Sequence, residues 1–320
     1  MILAGIDIGT NTLRLLVAEL GPDTFRELYS DRKITRLGQD VDRTGRLSQE
    51  AEERSLNALA EFARHFSEYS VTDISAVGTS ALRNASNAAD FVKRIQQRTG
   101  LEVSVIDGDE EARLTLLGVN SALGRATGAG QGIFPEAGLV IDIGGGSTEM
   151  IFTRPGSETL MRSLPLGAVY LTERFIKNDP PKQEELEGLR RFIVAQLDAL
   201  ERELRRDSQQ ERSVVGTAGT ITTLAAIDLG LAEYDPDAIN GHILSREALD
   251  RIVRTLGAST LRERRMIAGL EHGREDIILS GAIIAQEIME RRGCPELLVT
   301  VGGLREGIVL ELYRKLQGTR

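Results

Sequence analysis

The chain has 320 residues, 48 acidic against 39 basic, for a formal net charge of −9. Hydrophobic residues make up 41% and charged residues 27%, a globular balance with enough apolar material for a sizeable core, so no metal or disulfide is needed to fold it. The single Cys294 excludes an intramolecular disulfide framework and fits a reducing compartment. Aromatic residues at 4%, with no Trp, argue against a binder built on stacked bases, and the acidic balance disfavours nonspecific nucleic-acid binding.

Asp7 interrupts the N-terminus too early for a signal-peptide apolar region, and no run of about 18 apolar residues is present. The expectation is a cytoplasmic protein with no membrane partner. At roughly 100–200 residues per domain, two domains are expected.

Residues 2–8 form a short apolar run ending in Asp7 and Gly9, which reads as a buried strand and tight turn. Residues 13–20 and 25–34 follow as the next strands of an antiparallel meander. Ser48 is the expected N-cap of a helix to about Tyr69, with Leu56, Leu59, Phe62, Ala63 and Phe66 as its buried stripe. Residues 74–79 read as a strand, 87–99 as a helix stopped by Gly100, 103–106 as a strand, and 110–118 as the start of another helix. Residues 124–138, rich in Gly and Ala, are the expected linker.

The pattern then restarts. Residues 139–144 echo residues 3–9; both end in Asp-Ile-Gly, followed by small polar residues and a further apolar strand, at 13–18 or 150–153. A single echo about 135 residues apart indicates a duplicated domain rather than a solenoid. Pro180-Pro181 precedes a long helix whose Leu186, Leu189, Ile193, Leu197, Leu200 and Leu204 share one face, the pattern of a core-facing helix.

Four segments have the residue types of a chemical site. In Asp7-Ile8-Gly9-Thr10-Asn11-Thr12, a carboxylate at a strand end precedes a turn of small hydrogen-bonding residues. Such a turn can admit a phosphate to backbone N–H groups, but taken alone it reads first as ordinary hairpin punctuation. In Asp142-Ile143-Gly144-Gly145-Gly146-Ser147-Thr148-Glu149, three consecutive glycines lie between two strong strands. An anion cradle, with Asp142 available to a hydrated cation, explains them better than a linker does. No Gly-Lys-Ser/Thr follows, so this is not a Walker loop. In Asp109-Glu110-Glu111-Ala112-Arg113, adjacent carboxylates point about 100° apart on a helix, so at most one faces a given site. One Glu could deprotonate a water, while acidic residues also complement the helix dipole. In Val214-Val215-Gly216-Thr217-Ala218-Gly219-Thr220-Ile221, a strand enters a helix through two Gly-Thr pairs, another potential N–H cradle or a plain strand–helix turn. His65, His242 and His272 are scattered, without zinc-ligand spacing.

Taken together and in this order, these segments resemble the Ppx/GppA phosphatase family of exopolyphosphatases and guanosine pentaphosphate phosphohydrolases, within the actin-like, sugar-kinase and Hsp70 ATPase superfamily. Matching stretches are residues 7–12, 37–47, 78–83, 87–91, 108–113, 141–149, 216–220 and 302–307. The resemblance implies an α/β fold of two RNase H-like domains facing a central cleft, one of residues 1–124 with 301–320 and one of residues 125–300. The end of the chain would return to the first domain as a helix. It implies Glu111 as the catalytic carboxylate, positioning and deprotonating a water for in-line attack on a terminal phosphorus. Arg83 would bind a phosphate oxygen, and Asp142 and Glu149 would hold Mg²⁺, with Mn²⁺ as the alternative. Gly9, Thr10, Asn11, Gly144, Gly145, Gly146 and Ser147 would hydrogen-bond phosphates. Gly216, Thr217, Gly219 and Thr220 correspond to the adenosine-side loop of actin-like ATPases. The implied substrate is inorganic polyphosphate or pppGpp, and the implied assembly is a homodimer. Many relatives carry Ser where this chain has Thr10 and Thr12, which preserves a hydroxyl. Two other readings stand beside the hydrolase: a low-turnover polyphosphate- or nucleotide-binding regulator, and an ATP-dependent kinase, for which no acceptor-sugar motif is evident.

Overall fold

A computed structural model describes residues 1–22, 24–127, 138–153, 158–204 and 213–318. The chain divides into two compact units, one of Met1–Ser121 with Gly302–Arg320 and one of Ala122–Val301.

In the first unit, β1 (Ile2–Ile8), β2 (Thr12–Gly21) and β3 (Thr24–Ile34) form the expected meander. A short α1 (Val41–Thr44) precedes α2 (Gln49–Glu68), which is capped by the Ser48 side chain accepting from the Ala51 N–H. Then come β4 (Asp73–Gly78), α3 (Ser80–Asn84), α4 (Ala88–Thr99) and β5 (Val103–Val105). Helix α5 (Gly108–Thr127) follows and carries the boundary between the units within it. The sheet order is β3-β2-β1-β4-β5, with β4 and β5 parallel to β1.

Alternation along β1 sends successive side chains to opposite faces. Ala4, Ile6 and Ile8 join Leu56, Leu59 and Phe62 of α2 and Phe91 and Ile95 of α4 in one core. Leu3 packs on the other face with Leu16, Leu20 and Val309. Of the expected α2 stripe, Ala63 and Phe66 are only partly buried.

The second unit repeats the plan. Strands β6 (Gly138–Ile143), β7 (Thr148–Thr153) and β8 (Leu160–Leu164) form an antiparallel meander. Helices α6 (Ala168–Phe175) and α7 (Gln183–Leu204) precede β9 (Val214–Thr217), which lies parallel to β6. Next are α8 (Ala218–Leu229), α9 (Pro236–Ile239), β10 (Ile243–Ser245), α10 (Arg246–Ala258), α11 (Leu261–Arg264), α12 (Ile278–Arg292) and β11 (Glu296–Val299). The sheet order β8-β7-β6-β9-β11 matches that of the first sheet strand for strand, with β10 added antiparallel at the far edge. Leu189, Ile193, Leu197 and Leu200 of α7 are buried with Ile141 and Ile143 of β6, so α7 is core-facing as its pattern predicts. Helix α13 (Leu304–Gly318) belongs to the first unit and packs on β1, β2 and β4.

The expected linker needs correction at its start. Residues 124–127 continue α5, and Gly138 opens β6. A glycine costs a helix only about 1 kcal/mol, which burial of Ala122 and Leu123 offsets. Residues 128–137 of that stretch lie outside the described residues. Both units are therefore mixed α/β sheets of RNase H-like strand order, and the sequence echo is a structural duplication.

Candidate active site

In the first unit three segments leave the sheet side by side. The Thr79 N–H donates to the Ile8 carbonyl at 3.3 Å, and the Ile106 N–H to the Gly78 carbonyl at 3.0 Å. The Gly9–Thr12 turn, the start of α3 and the start of α5 therefore emerge together at the carboxyl ends of the parallel strands β1, β4 and β5, the edge where open α/β sheets take their ligands.

The first turn is closed by the Gly9 N–H donating to the Thr12 carbonyl at 3.2 Å. Residues 35–38 strap it from outside. The Thr35 and Arg36 N–H groups donate to the Asn11 carbonyl at 3.1 and 2.9 Å, and the Gly38 N–H to the Thr10 carbonyl at 2.8 Å. A Cβ on Gly38 would lie 2.3 Å from the Thr10 methyl, so this approach requires glycine. Thr10, Asn11, Thr79 and Ser80 are all buried here. The strap ends in the first two residues of the matching stretch 37–47, to which sequence reading assigned no role. Its signal was Gly38, but the partner that makes glycine necessary is 28 residues away.

Glu111 and Glu110 separate as helix geometry requires. Glu111 is 8% exposed, and its Oε2 accepts from Arg83 Nη1 at 2.6 Å. The same nitrogen donates to the Ile106 carbonyl at 3.0 Å. Glu110 instead takes a bidentate pair from Arg113, at 2.7 Å from Nε and 2.9 Å from Nη2, and Arg113 also reaches Glu311 at 3.2 Å. That hydrogen-bonded pairing lowers the Glu110 pKa below the ordinary carboxylate value and raises that of Arg113. Helix α5 itself starts on Asp107, whose Oδ1 accepts from the Glu110 N–H at 2.8 Å.

The glycine-rich turn of the second unit occupies the equivalent hairpin. The Gly144 N–H donates to the Ser147 carbonyl at 3.0 Å, as Gly9 does to Thr12. Its carbonyls are held by the start of α6. Ala168 N–H donates to Gly144 O at 3.0 Å, and the Val169 and Tyr170 N–H groups to Gly145 O at 2.9 and 3.1 Å. A Cβ on Gly167 would meet Gly145 O at 2.2 Å and Gly146 Cα at 2.4 Å. The triplet is thus a packed, fixed element.

Asp142 and Glu149 are direct partners across β6 and β7, so they share a face, and both are buried. Opposed residues on one face place their Cβ atoms about 4.5–5.5 Å apart. The Ser163 hydroxyl donates to Glu149 Oε1 at 2.8 Å. In the first unit the same two positions hold Asp7 and Arg14, an ion pair at 3.4 Å. Among the described residues no group of three His, Cys, Asp or Glu could enclose a metal. Two carboxylates, one of them held by the Ser163 hydroxyl, suit a cation that keeps several waters, as Mg²⁺ does, so the residues fit it.

The fourth segment splits by role. Ala218, at the β9–α8 turn, has φ +68°, the left-handed region that L side chains rarely adopt. Gly219 lies under the Arg274 guanidinium, where a Cβ would be 2.4 Å from Nη2. Arg274 Nε in turn donates to Glu271 at 2.5 Å. Thr217 is buried at the same turn. Gly216 packs against Leu297 and Ile221, and Thr220 is buried against Gly281 of α12, so those two fill the core of the unit. Sequence reading missed Arg274. Nothing near residue 219 in the chain points to it, because loop 265–277 delivers it.

Comparison with known proteins agrees with this architecture. The model of the Ppx/GppA phosphatase family matches residues 16–316. Exopolyphosphatase 2 of Mycobacterium tuberculosis is 34% identical over 97% of this chain and 98% of its own. A crystal structure described as an exopolyphosphatase-like protein superposes with a TM-score of 0.90 at 33% identity, covering 99% of this chain and 98% of that one. The Aquifex aeolicus member of the Ppx/GppA family superposes at 0.78, also at 33% identity, covering 98% of each chain. The chain belongs to the Ppx/GppA phosphatase family and is a phosphoanhydride hydrolase.

Proposed function

We propose that this protein releases terminal orthophosphate from inorganic polyphosphate, with Glu111 as general base. The observation that carries the reading is the buried Glu111 carboxylate, fixed by Arg83 at the same carboxyl edge of the sheet from which the Gly9–Thr12 turn emerges. Phosphoryl transfer needs mainly positioning and neutralisation of charge, with one group to orient and deprotonate the attacking water. In the first unit Thr10 and Asn11 donate hydrogen bonds to phosphate oxygens from the turn that Gly9 closes, and Glu111 takes the proton of the water. In the second unit the turn that Gly144 closes offers the backbone N–H groups of Gly145–Ser147 and the Ser147 hydroxyl. Asp142 and Glu149 hold Mg²⁺, whose chemistry when bound is to offset charge on phosphate oxygens. Polyphosphate is placed first because the full-length relative at 34% identity bears the name exopolyphosphatase.

Orthophosphate release measured side by side on long polyphosphate, pppGpp and ATP tests the assignment. Polyphosphate is expected to turn over fastest. A strong preference for pppGpp would reassign the substrate, and tight polyphosphate binding without phosphate release would make the protein a regulator.

The metal assignment has its own test. With only oxygen donors in the pair, excess chelator is expected to abolish release and Mg²⁺ to restore it. Asp142→Asn should raise the Mg²⁺ concentration needed for half-maximal activity. Full turnover in excess chelator would remove Asp142 and Glu149 from this role.

A further inference from the structure

We infer that Arg83 is a positioning residue that acts through Glu111, setting where that carboxylate stands. The inference rests on the reading of Glu111 as the base.

The guanidinium presents its Nη1 group to two acceptors at once, the Ile106 carbonyl at 3.0 Å and Glu111 Oε2 at 2.6 Å. Those contacts occupy both hydrogens of that nitrogen. They also join three elements. Arg83 lies in the last turn of α3, and its N–H donates to Thr79 O at 3.0 Å. Ile106 follows β5. Glu111 lies in the first turn of α5, where its N–H donates to Asp107 O at 3.1 Å. One rigid planar group therefore sets the distance between two strand ends and the carboxylate, which a flexible ammonium does poorly. The pair is also sheltered, with side-chain exposures of 21% for Arg83 and 10% for Glu111.

A positioning role and a phosphate-binding role predict different kinetics. Misplacing a reacting group by about 1 Å can cost about 10²-fold in rate with little change in binding. Arg83→Gln is therefore expected to lower kcat about 100-fold and leave KM for polyphosphate within about threefold. Arg83→Lys should recover part of the loss, since one donor still reaches Glu111. In a Glu111→Gln background, Arg83→Gln should lower kcat by less than about twofold more, because residues acting as one unit are not additive. Thermal unfolding of each variant identifies any that fail to fold; if Arg83→Gln is one, Arg83→Lys alone and in the Glu111→Gln background carries the same comparison. A KM raised tenfold or more at unchanged kcat, or full additivity with Glu111→Gln, overturns the inference. Those results leave the base assignment standing if Glu111→Gln itself is inactive, whereas an active Glu111→Gln overturns the base assignment first.

Discussion

Glu111→Gln is expected to lower turnover by about 10²–10⁴-fold, the usual contribution of a positioned general base, while polyphosphate affinity and stability stay nearly intact. The amide is isosteric and still accepts from Arg83 through its carbonyl oxygen, so the three-way tie with Ile106 survives. What is lost is the capacity to take a proton. Glu110→Gln is the control that makes the result specific. Its carboxylate pairs with Arg113, one turn along α5 and on a different side of the helix from Glu111. That variant should change turnover by less than about tenfold.

The Glu110 control also carries a signature in pH. Arg113 lowers the Glu110 pKa in the folded state, so its contribution to stability is present above the ordinary carboxylate value of 4.5 and is lost as pH falls through the lowered value. The stability difference between Glu110→Gln and the parent should accordingly shrink in acid. Turnover and substrate affinity on both variants, with unfolding at pH 7 and pH 3, check the pair. A dead Glu110→Gln or an active Glu111→Gln would reverse the assignment.

The divergence of these neighbours was readable in the sequence, because 100° per residue is fixed by the helix whatever else surrounds it. The partner of Glu111 was not. Arg83 is 28 residues away, and only the parallel pairing of β4 with β5 brings the exit of one beside the exit of the other. The same distinction runs through the fold. The Asp-Ile-Gly echo exposed the duplication because each copy combines a buried apolar strand with a tight turn, a local pattern. Its most informative difference, Arg14 in one hairpin where Glu149 stands in the other, emerges only from the matching registers of β1 with β2 and β6 with β7. Glycine composition alone misled at residues 124–127, which remain helical, and it also gave no warning that Gly144–Gly146 are clamped by α6. A glycine says that the backbone has freedom or room; the surroundings decide which.

Gly118 and Gly307 show room of the second kind, and their substitution should have the largest effect on stability. A Cβ on Gly118 of α5 would lie 1.9 Å from Gly303 O and 2.9 Å from Gly307 N. A Cβ on Gly307 of α13 would lie 1.9 Å from Leu114 O and 2.6 Å from Leu114 C. The obstructing atoms are backbone, so no rotamer change relieves them, and the two helices must separate. Separation loosens the cluster of Val77, Leu114, Leu304 and Ile308, and it pulls on the Gly303 N–H that donates to buried Glu306 at 2.8 Å. Overpacking ordinarily costs about 1–3 kcal/mol, with larger values where the backbone must move. Gly118→Ala and Gly307→Ala should each therefore cost about 3 kcal/mol or more, read as a large drop in the urea midpoint or as loss of soluble folded protein. Gly100→Ala provides the contrast. Gly100 has φ +74° but nothing within 4 Å of its Cβ position, so the cost is limited to the left-handed backbone, about 1–2 kcal/mol. Parent-like unfolding of Gly118→Ala would show that α5 and α13 do not cross in backbone contact, and the placement of Glu111 at the head of α5 would then need to be redrawn.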